Sequence, residues 1–177
     1  MSESGQFRGE IVGSSGPGFD LRHAVRQLVK PEEITRIGVA TGPGSYTGLR
    51  VGVAFALGMA MGARIPLLGL PTLEIARRRA RVEATGVSEA GRGRIYYLAP
   101  DGSRGVAEPL AIPARWPLAG WLRPSSAAAL RAATLVLVAE EELKSFSEAA
   151  VSVLRESPEL PYGRVKLEYM QAEERDT

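Results

Sequence analysis

The chain reads as an α/β or α+β protein, and three observations carry that reading. Strand-type and helix-type segments alternate along it. An apolar run, "RIGVA", enters the glycine-rich loop "TGPGSYTG" and leaves as the long apolar segment "LRVGVAFALGMAMGA", a strand–loop–helix unit over Arg36–Ala63. Two β-type runs flank Asp101-Gly102, a strong hairpin turn signal.

Taken in order, Gln6–Val12 ("QFRGEIV") reads as a strand followed by a turn at 13–18. Asp20 is a candidate N-cap for a short helix with Leu21, Val25, Leu28 and Val29 on one face. His23 falls off that stripe and is expected at the surface. "KPEEI" ends the helix, and Thr35–Ala40 is the next strand. After the glycine loop and its helix, Arg64–Leu70 reads as a short buried strand. Pro71-Thr72 opens a helix to about Val82 with "RRRAR" on its outer side. Gly93–Ala99 and Arg104–Ile112 are the hairpin strands. The segment "IPARWPLAGWLRP" gives no clear signal. Ser125–Ala133 is helical, Thr134–Ala139 is a buried strand or a continuation of that helix, Ser147–Glu156 is a helix, and "PELPYGRVKLEYMQ" is an extended tail.

Composition narrows the function classes. The 177 residues carry a formal net charge of +2, 45% hydrophobic and 24% charged residues. That balance by itself implies neither a nucleic-acid binder nor a disordered chain. Only three of the 22 cationic residues are Lys, and residues 64–94 hold seven Arg against three Glu. With no Cys and one His, thiolate metal sites, Cys nucleophiles and multi-His clusters are excluded, and no metal is expected. A Ser-His-acid triad would need His23 and a G-x-S-x-G elbow that the sequence lacks. The polar start is no signal peptide, and uncharged Val51–Ala63 is shorter than a bilayer span. These features predict a soluble cytoplasmic protein with no membrane contact.

The loop invites comparison with phosphate cradles. A Walker loop requires a Lys, and there is none from 31 to 143. Gly42, Gly44 and Gly48 give G-x-G-x-x-x-G, one residue off the dinucleotide fingerprint, and the acid expected after the next strand is missing. Ser45 and Thr47 can cap the helix, whose free N–H groups could hold an anion. Gly42, Gly44, Ser45 and Thr47 thus form either a structural turn or an anion and nucleotide loop.

The helix carries Gly48, Gly52, Ala56 and Ala60 at four-residue spacing, one side almost bare of side chain, with Gly58 and Gly62 as further small positions. Glycine inside a helix costs about 1 kcal/mol against alanine, which close approach by another element would offset. The other faces are also apolar, so the helix is expected to be buried all round. The bare side is then covered either internally or by a second chain.

"GPGSYTGLRVGVAFALGMA" followed by "IPLLGLPTLE" closely resembles the signature of the TsaB (YeaZ) family, within the actin-like, RNase H-like ATPase superfamily. "SEAGRGRIYY" resembles that family's Asp-Ala-Arg-Arg-Gly-Glu-Val-Tyr segment, and "LPYGRVKLEYMQ" its closing Pro-x-Tyr-x-Arg tail more loosely. The resemblance implies an actin-like lobe with a mixed sheet and flanking helices over 1–99. A reduced second lobe and tail would follow over 100–177. It also implies that the family's first Asp-Thr-Ser strand is not in this sequence, a truncation at the N-terminus. Function follows from the same source: a non-catalytic subunit of the complex that installs threonylcarbamoyl on adenosine 37 of tRNA. Such a subunit would bind a TsaD-like catalytic subunit, meet a TsaE-like ATPase, form a homodimer when alone and touch tRNA only through the complex. No cofactor would be bound tightly, with ATP or ADP confined to the complex. Thr47, Gly48, Arg50, Gly52, Ala56 and Ala60 would form the interface, Arg50 as an ion-pair or capping partner. Two rivals remain: a kinase-like or peptidase-like enzyme of the superfamily, and a direct tRNA-binding module using Arg77, Arg78, Arg79, Arg81, Arg92 and Arg94.

Overall fold

A computed structural model describes residues 9–11, 20–159 and 161–168. The turn at 13–18 and most of the Gln6–Val12 strand lie outside the described residues; within them, 9–11 have no regular structure.

Helix α1 spans Leu21–Leu28. Asp20 caps it as expected, its carboxylate accepting from the Arg22 and His23 N–H groups. The two hydrogen bonds hold the carboxyl below its ordinary range. His23 is exposed beside Gln27. A turn of 3-10 helix at Pro31–Glu33 leads into strand β1, Ile37–Gly42, two residues beyond the expected start. Helix α2 is Tyr46–Ala63, and strand β2 is Leu67–Pro71. Strands β1 and β2 pair in parallel, Ile37 opposite Leu67, because the intervening helix returns the chain to the same end of the sheet. Helix α3 runs Thr72–Arg79, shorter than the expected 73–82.

The second sheet is four-stranded, in the order β5-β4-β3-β6. Its strands are β3 (Thr85–Gly91), β4 (Arg94–Leu98), β5 (Arg104–Ala107) and β6 (Leu118–Trp121). The Asp101-Gly102 hairpin forms as expected: Gly102 takes φ +86 and Asp101 accepts from Ser103 N–H and Oγ–H. This sheet crosses residue 99, so the division at 99/100 falls between two paired strands, β4 and β5. Helix α4, Pro124–Ala132, follows. Thr134–Ala139 is neither a full strand nor a helix: Thr134 turns at φ +62, and one parallel bridge joins Leu137 to Leu118. Helix α5, Phe146–Glu156, opens on a capping box between Ser145 and Glu148.

Helix α3 sits between the sheets. Leu68, Leu70 and Ile75 form one core with Ala149 and Val153 of α5. Val87, Ile95, Ile112, Leu118, Leu130 and Leu135 form the other on the inner face of the larger sheet. The tail residues 161–168 pack onto the chain: Tyr162 and Val165 join a third cluster with Ala56, Ala60 and Leu67.

Candidate interaction helix and glycine loop

The loop takes its shape from local chemistry. Gly42 adopts φ +112, open to glycine but strained for other residues, and its N–H donates to Thr72 Oγ1 at 3.1 Å. Pro43 is fully buried. Ser45 caps α2, its Oγ accepting from Gly48 N–H at 3.3 Å. Tail residue Glu168 donates its N–H to the Thr41 carbonyl at 2.8 Å, and a Cβ on Gly42 would lie 2.6 Å from the Glu168 carbonyl oxygen. The tail therefore lies against one side of the loop, and Gly44, Ser45 and Thr47 stay at the open mouth.

Helix α2 departs from the expectation of burial all round. Leu49, Ala56 and Ala60 are its buried residues, and Val51 and Met61 are each more than half exposed. The row of small residues splits. Ala56 and Ala60 face the chain's own sheet beside Ile37, Val39 and Leu67, whereas Gly48 is exposed and Gly52 half-buried. The reason is geometric: a two-stranded sheet is wide enough to cover one side of a helix and no more. Thr47, Arg50, Val51, Ala54, Gly58 and Met61 make up the open side. A Cβ added at Gly58 or Gly62 would meet nothing within 4 Å, so no contact inside the chain requires glycine there. Arg50 stacks its guanidinium on the Tyr46 ring at 4.0 Å at the start of this side. By length and composition alone, 18 residues of mean hydropathy 1.2, α2 could cross a membrane, which the shorter Val51–Ala63 stretch did not suggest.

A groove of about 440 Å3 separates α1 from α2. Val25, Ile34, Phe55 and Met59 line it with Gly58, and Arg22 and Arg26 stand along it. The α1 side of the groove was not anticipated, although the Val25 stripe was the signal for it.

The six arginines proposed as one RNA face do not act as one. Arg77 and Arg78 both bind Glu74, and Arg78 also binds Glu156 at 2.6 Å. Arg79, expected on the outer side of its helix, is 3% exposed. Its Nε donates to the Lys144 carbonyl, Nη2 pairs with Glu140, and its plane stacks on Phe146 at 3.9 Å. Nη1 is buried without a partner. Beside it lies a cavity of about 430 Å3 bordered by Trp121, Lys144 and Glu10. Among the described residues no group of three His, Cys, Asp or Glu could hold a metal ion.

Comparison with known proteins places this geometry. The family model for TsaD, tRNA N6-adenosine threonylcarbamoyltransferase, matches residues 24–111. The TsaB protein of Bacillus subtilis, a tRNA threonylcarbamoyladenosine biosynthesis protein, is 34% identical over 95 residues, covering 52% of this chain and 42% of that protein. Its Escherichia coli counterpart is 31% identical over 70 residues, 37% of this chain and 30% of that one. A tRNA N6-adenosine threonylcarbamoyltransferase of Nitratidesulfovibrio vulgaris is 46% identical over 56 residues, 31% of this chain and 15% of the enzyme. The matched stretches thus span less than half of each curated relative. The solved structure of YeaZ from Pseudomonas aeruginosa superposes with a TM-score of 0.61 at 21% identity, covering 85% of this chain and 82% of that one. A second structure, described as an uncharacterized protein with similarity to peptidase YeaZ from Pseudomonas aeruginosa, gives 0.60 at 18% identity, covering 85% of this chain and 80% of that one. These likenesses establish the fold, an α/β arrangement of the actin-like type, and the chain has TsaB/YeaZ proteins as homologues.

Proposed function

From its homology to TsaB/YeaZ proteins, we propose that this chain is a non-catalytic partner subunit in threonylcarbamoyladenosine formation on tRNA. Through the open side of α2 it pairs with a TsaD-like catalytic subunit and, when alone, with a second copy of itself. A TsaE-like ATPase joins the assembly, tRNA is reached through the complex, and the setting is the cytoplasm.

One observation carries the interface: Gly58, inside α2 between exposed Val51 and Met61, and Gly62, in its last turn, have open space where a Cβ would be. Gly58, in the helix interior, costs the isolated helix about 1 kcal/mol, and nothing in the described chain offsets it. A helix backbone of another subunit lying against the glycine would. The interface accordingly runs along Thr47, Gly48, Arg50, Val51 and Gly58, with Gly52 at its edge; Ala56 and Ala60 support it from below.

The test is co-purification with a TsaD protein, together with light scattering of the chain alone. Wild type should pair in both, and Gly58→Arg should lose both while keeping the unfolding temperature that wild type shows when diluted to monomer. Unchanged pairing in that variant would refute the interface. Turnover of ATP by the purified chain, lost on Ser45→Ala, would refute the non-catalytic assignment.

A further inference from the structure

A second surface lies on the face of the four-stranded sheet that α3 partly covers, opposite the face that packs Val87, Ile95 and Leu118. Strand pairing sets Trp121 opposite Ser88, Ser88 opposite Tyr96 and Tyr96 opposite Val106, so these four stand side by side across β6, β3, β4 and β5. Because side chains alternate along a strand, they point away from buried Val87, Ile95 and Leu118. The adjacent row on the same face is covered, since α3 lies so close to Gly86 that no Cβ could fit there. The Trp121 row is not: Trp121 is 63% exposed, and Ser88, Tyr96 and Val106 are half-buried. Arg94 shares the face two residues before Tyr96, Arg92 is exposed in the turn preceding it, and Arg104 is exposed two residues before Val106. The acids near the row are engaged: beside Trp121, Glu140 pairs with Arg79 and Glu10 accepts from the Ser147 N–H, and Glu89, turned to the other face, is held by Arg123 at 2.8 Å.

Two aromatic rings on an open sheet, bordered by arginines, match the chemistry of unpaired bases on a phosphate chain: rings supply stacking planes and guanidinium groups meet phosphates. We propose that this sheet face binds single-stranded RNA, with bases stacked on Trp121 and Tyr96 and phosphates against Arg92, Arg94 and Arg104. The stacking geometry stands without the preceding functional reading; the choice of RNA over DNA rests on that reading's tRNA pathway, and direct contact of this chain with the strand goes beyond it. An acidic protein segment would use the arginines but leave the exposed indole without a planar partner.

The test is fluorescence anisotropy on the full chain with a labelled single-stranded RNA about a dozen nucleotides long. The RNA duplex and single-stranded DNA of the same sequence, and polyglutamate, serve as competitors. Wild type should bind the single strand in preference to all three and quench Trp121 emission. Trp121→Ala, at an exposed position that leaves the core intact, should weaken binding about tenfold. Arg94→Ala should reduce the salt slope by about one. No saturable RNA binding, an unchanged affinity in Trp121→Ala, or displacement by polyglutamate as effective as by RNA would overturn the proposal, the last in favour of an acidic protein partner. Equal affinity for DNA would overturn the assignment to RNA. None of these results touches α2, so pairing with TsaD can stand or fall separately.

Discussion

The Tyr162 hydroxyl closes the C-terminal end of α2, lying 3.2 Å from the Ala60 carbonyl and 2.9 Å from that of Ile65. Helix ends leave carbonyls without intrahelical partners, and Arg64, in the left-handed region at φ +56, has already turned the chain there. The Ala60 carbonyl already accepts from the Arg64 and Ile65 N–H groups, so the tail's donor counts most at the Ile65 carbonyl, just past the helix end. Tyr162→Phe should keep the ring packing and lose the hydrogen bond, lowering stability by about 1 kcal/mol in urea unfolding. An unchanged midpoint would show that the tail contributes no hydrogen bond there.

The two sides of α2 should respond oppositely to bulk. Ala60 is fully buried against Leu67, so Ala60→Leu overpacks the core and should cost about 1–3 kcal/mol. Gly58→Ala, with nothing near its Cβ, should instead raise stability by several tenths to about 1 kcal/mol. Thermal unfolding of both variants reads this directly. A destabilised Gly58→Ala would mean that the position is covered, by the chain itself if the loss is independent of protein concentration and by a second copy if it grows with concentration.

Arg79 ties α3 to the segment before α5 by one hydrogen bond, one ion pair and a stacked ring. Removing a buried guanidinium leaves the Lys144 carbonyl without its side-chain donor, opens a cavity and leaves Phe146 without its partner. Arg79→Ala should therefore cost several kcal/mol, at the high end for single substitutions. Glu140, with a side chain mostly in water, should cost far less as Glu140→Gln, within about 1 kcal/mol. Comparable losses in the two variants would place the stabilisation in the ion pair alone.

Much of this structure was legible in the sequence, and the failures share a cause. Asp20, Ser45 and the Asp101-Gly102 turn were readable because capping and turn chemistry are local. Strand β6 was missed because its four residues lie between prolines, and β3 because "TGVSEAG" lacks an apolar alternation; both are strands through their neighbours, β6 beside β3 and β3 between β6 and β4. The periodicity of Gly48, Gly52, Ala56 and Ala60 was visible, but which part of the row meets the chain's own sheet depends on how wide that sheet is. Arg79 read as a solvated residue because "RRRAR" carries no mark of Lys144, Glu140 and Phe146, about 65 residues away. Trp121 and Tyr96 lie far apart in sequence and flank Ser88 only through strand register.

Acid should unfold the chain partly through Glu74. Burial alone would raise its carboxyl, but hydrogen bonds from Arg77 and Arg78 outweigh burial and hold it below its ordinary value of 4.5. A carboxyl depressed in the folded state binds its proton more readily when unfolded, so it contributes stability above the unfolded value and loses it as pH falls through the folded one. Urea unfolding at neutral pH and again below about pH 4 should show a smaller drop for Glu74→Gln than for wild type. Glu74→Gln should also be the less stable protein at neutral pH, because Arg77 loses its carboxylate partner and Arg78 retains only Glu156. Parallel pH profiles for the two proteins would show that this cluster takes no part in acid unfolding.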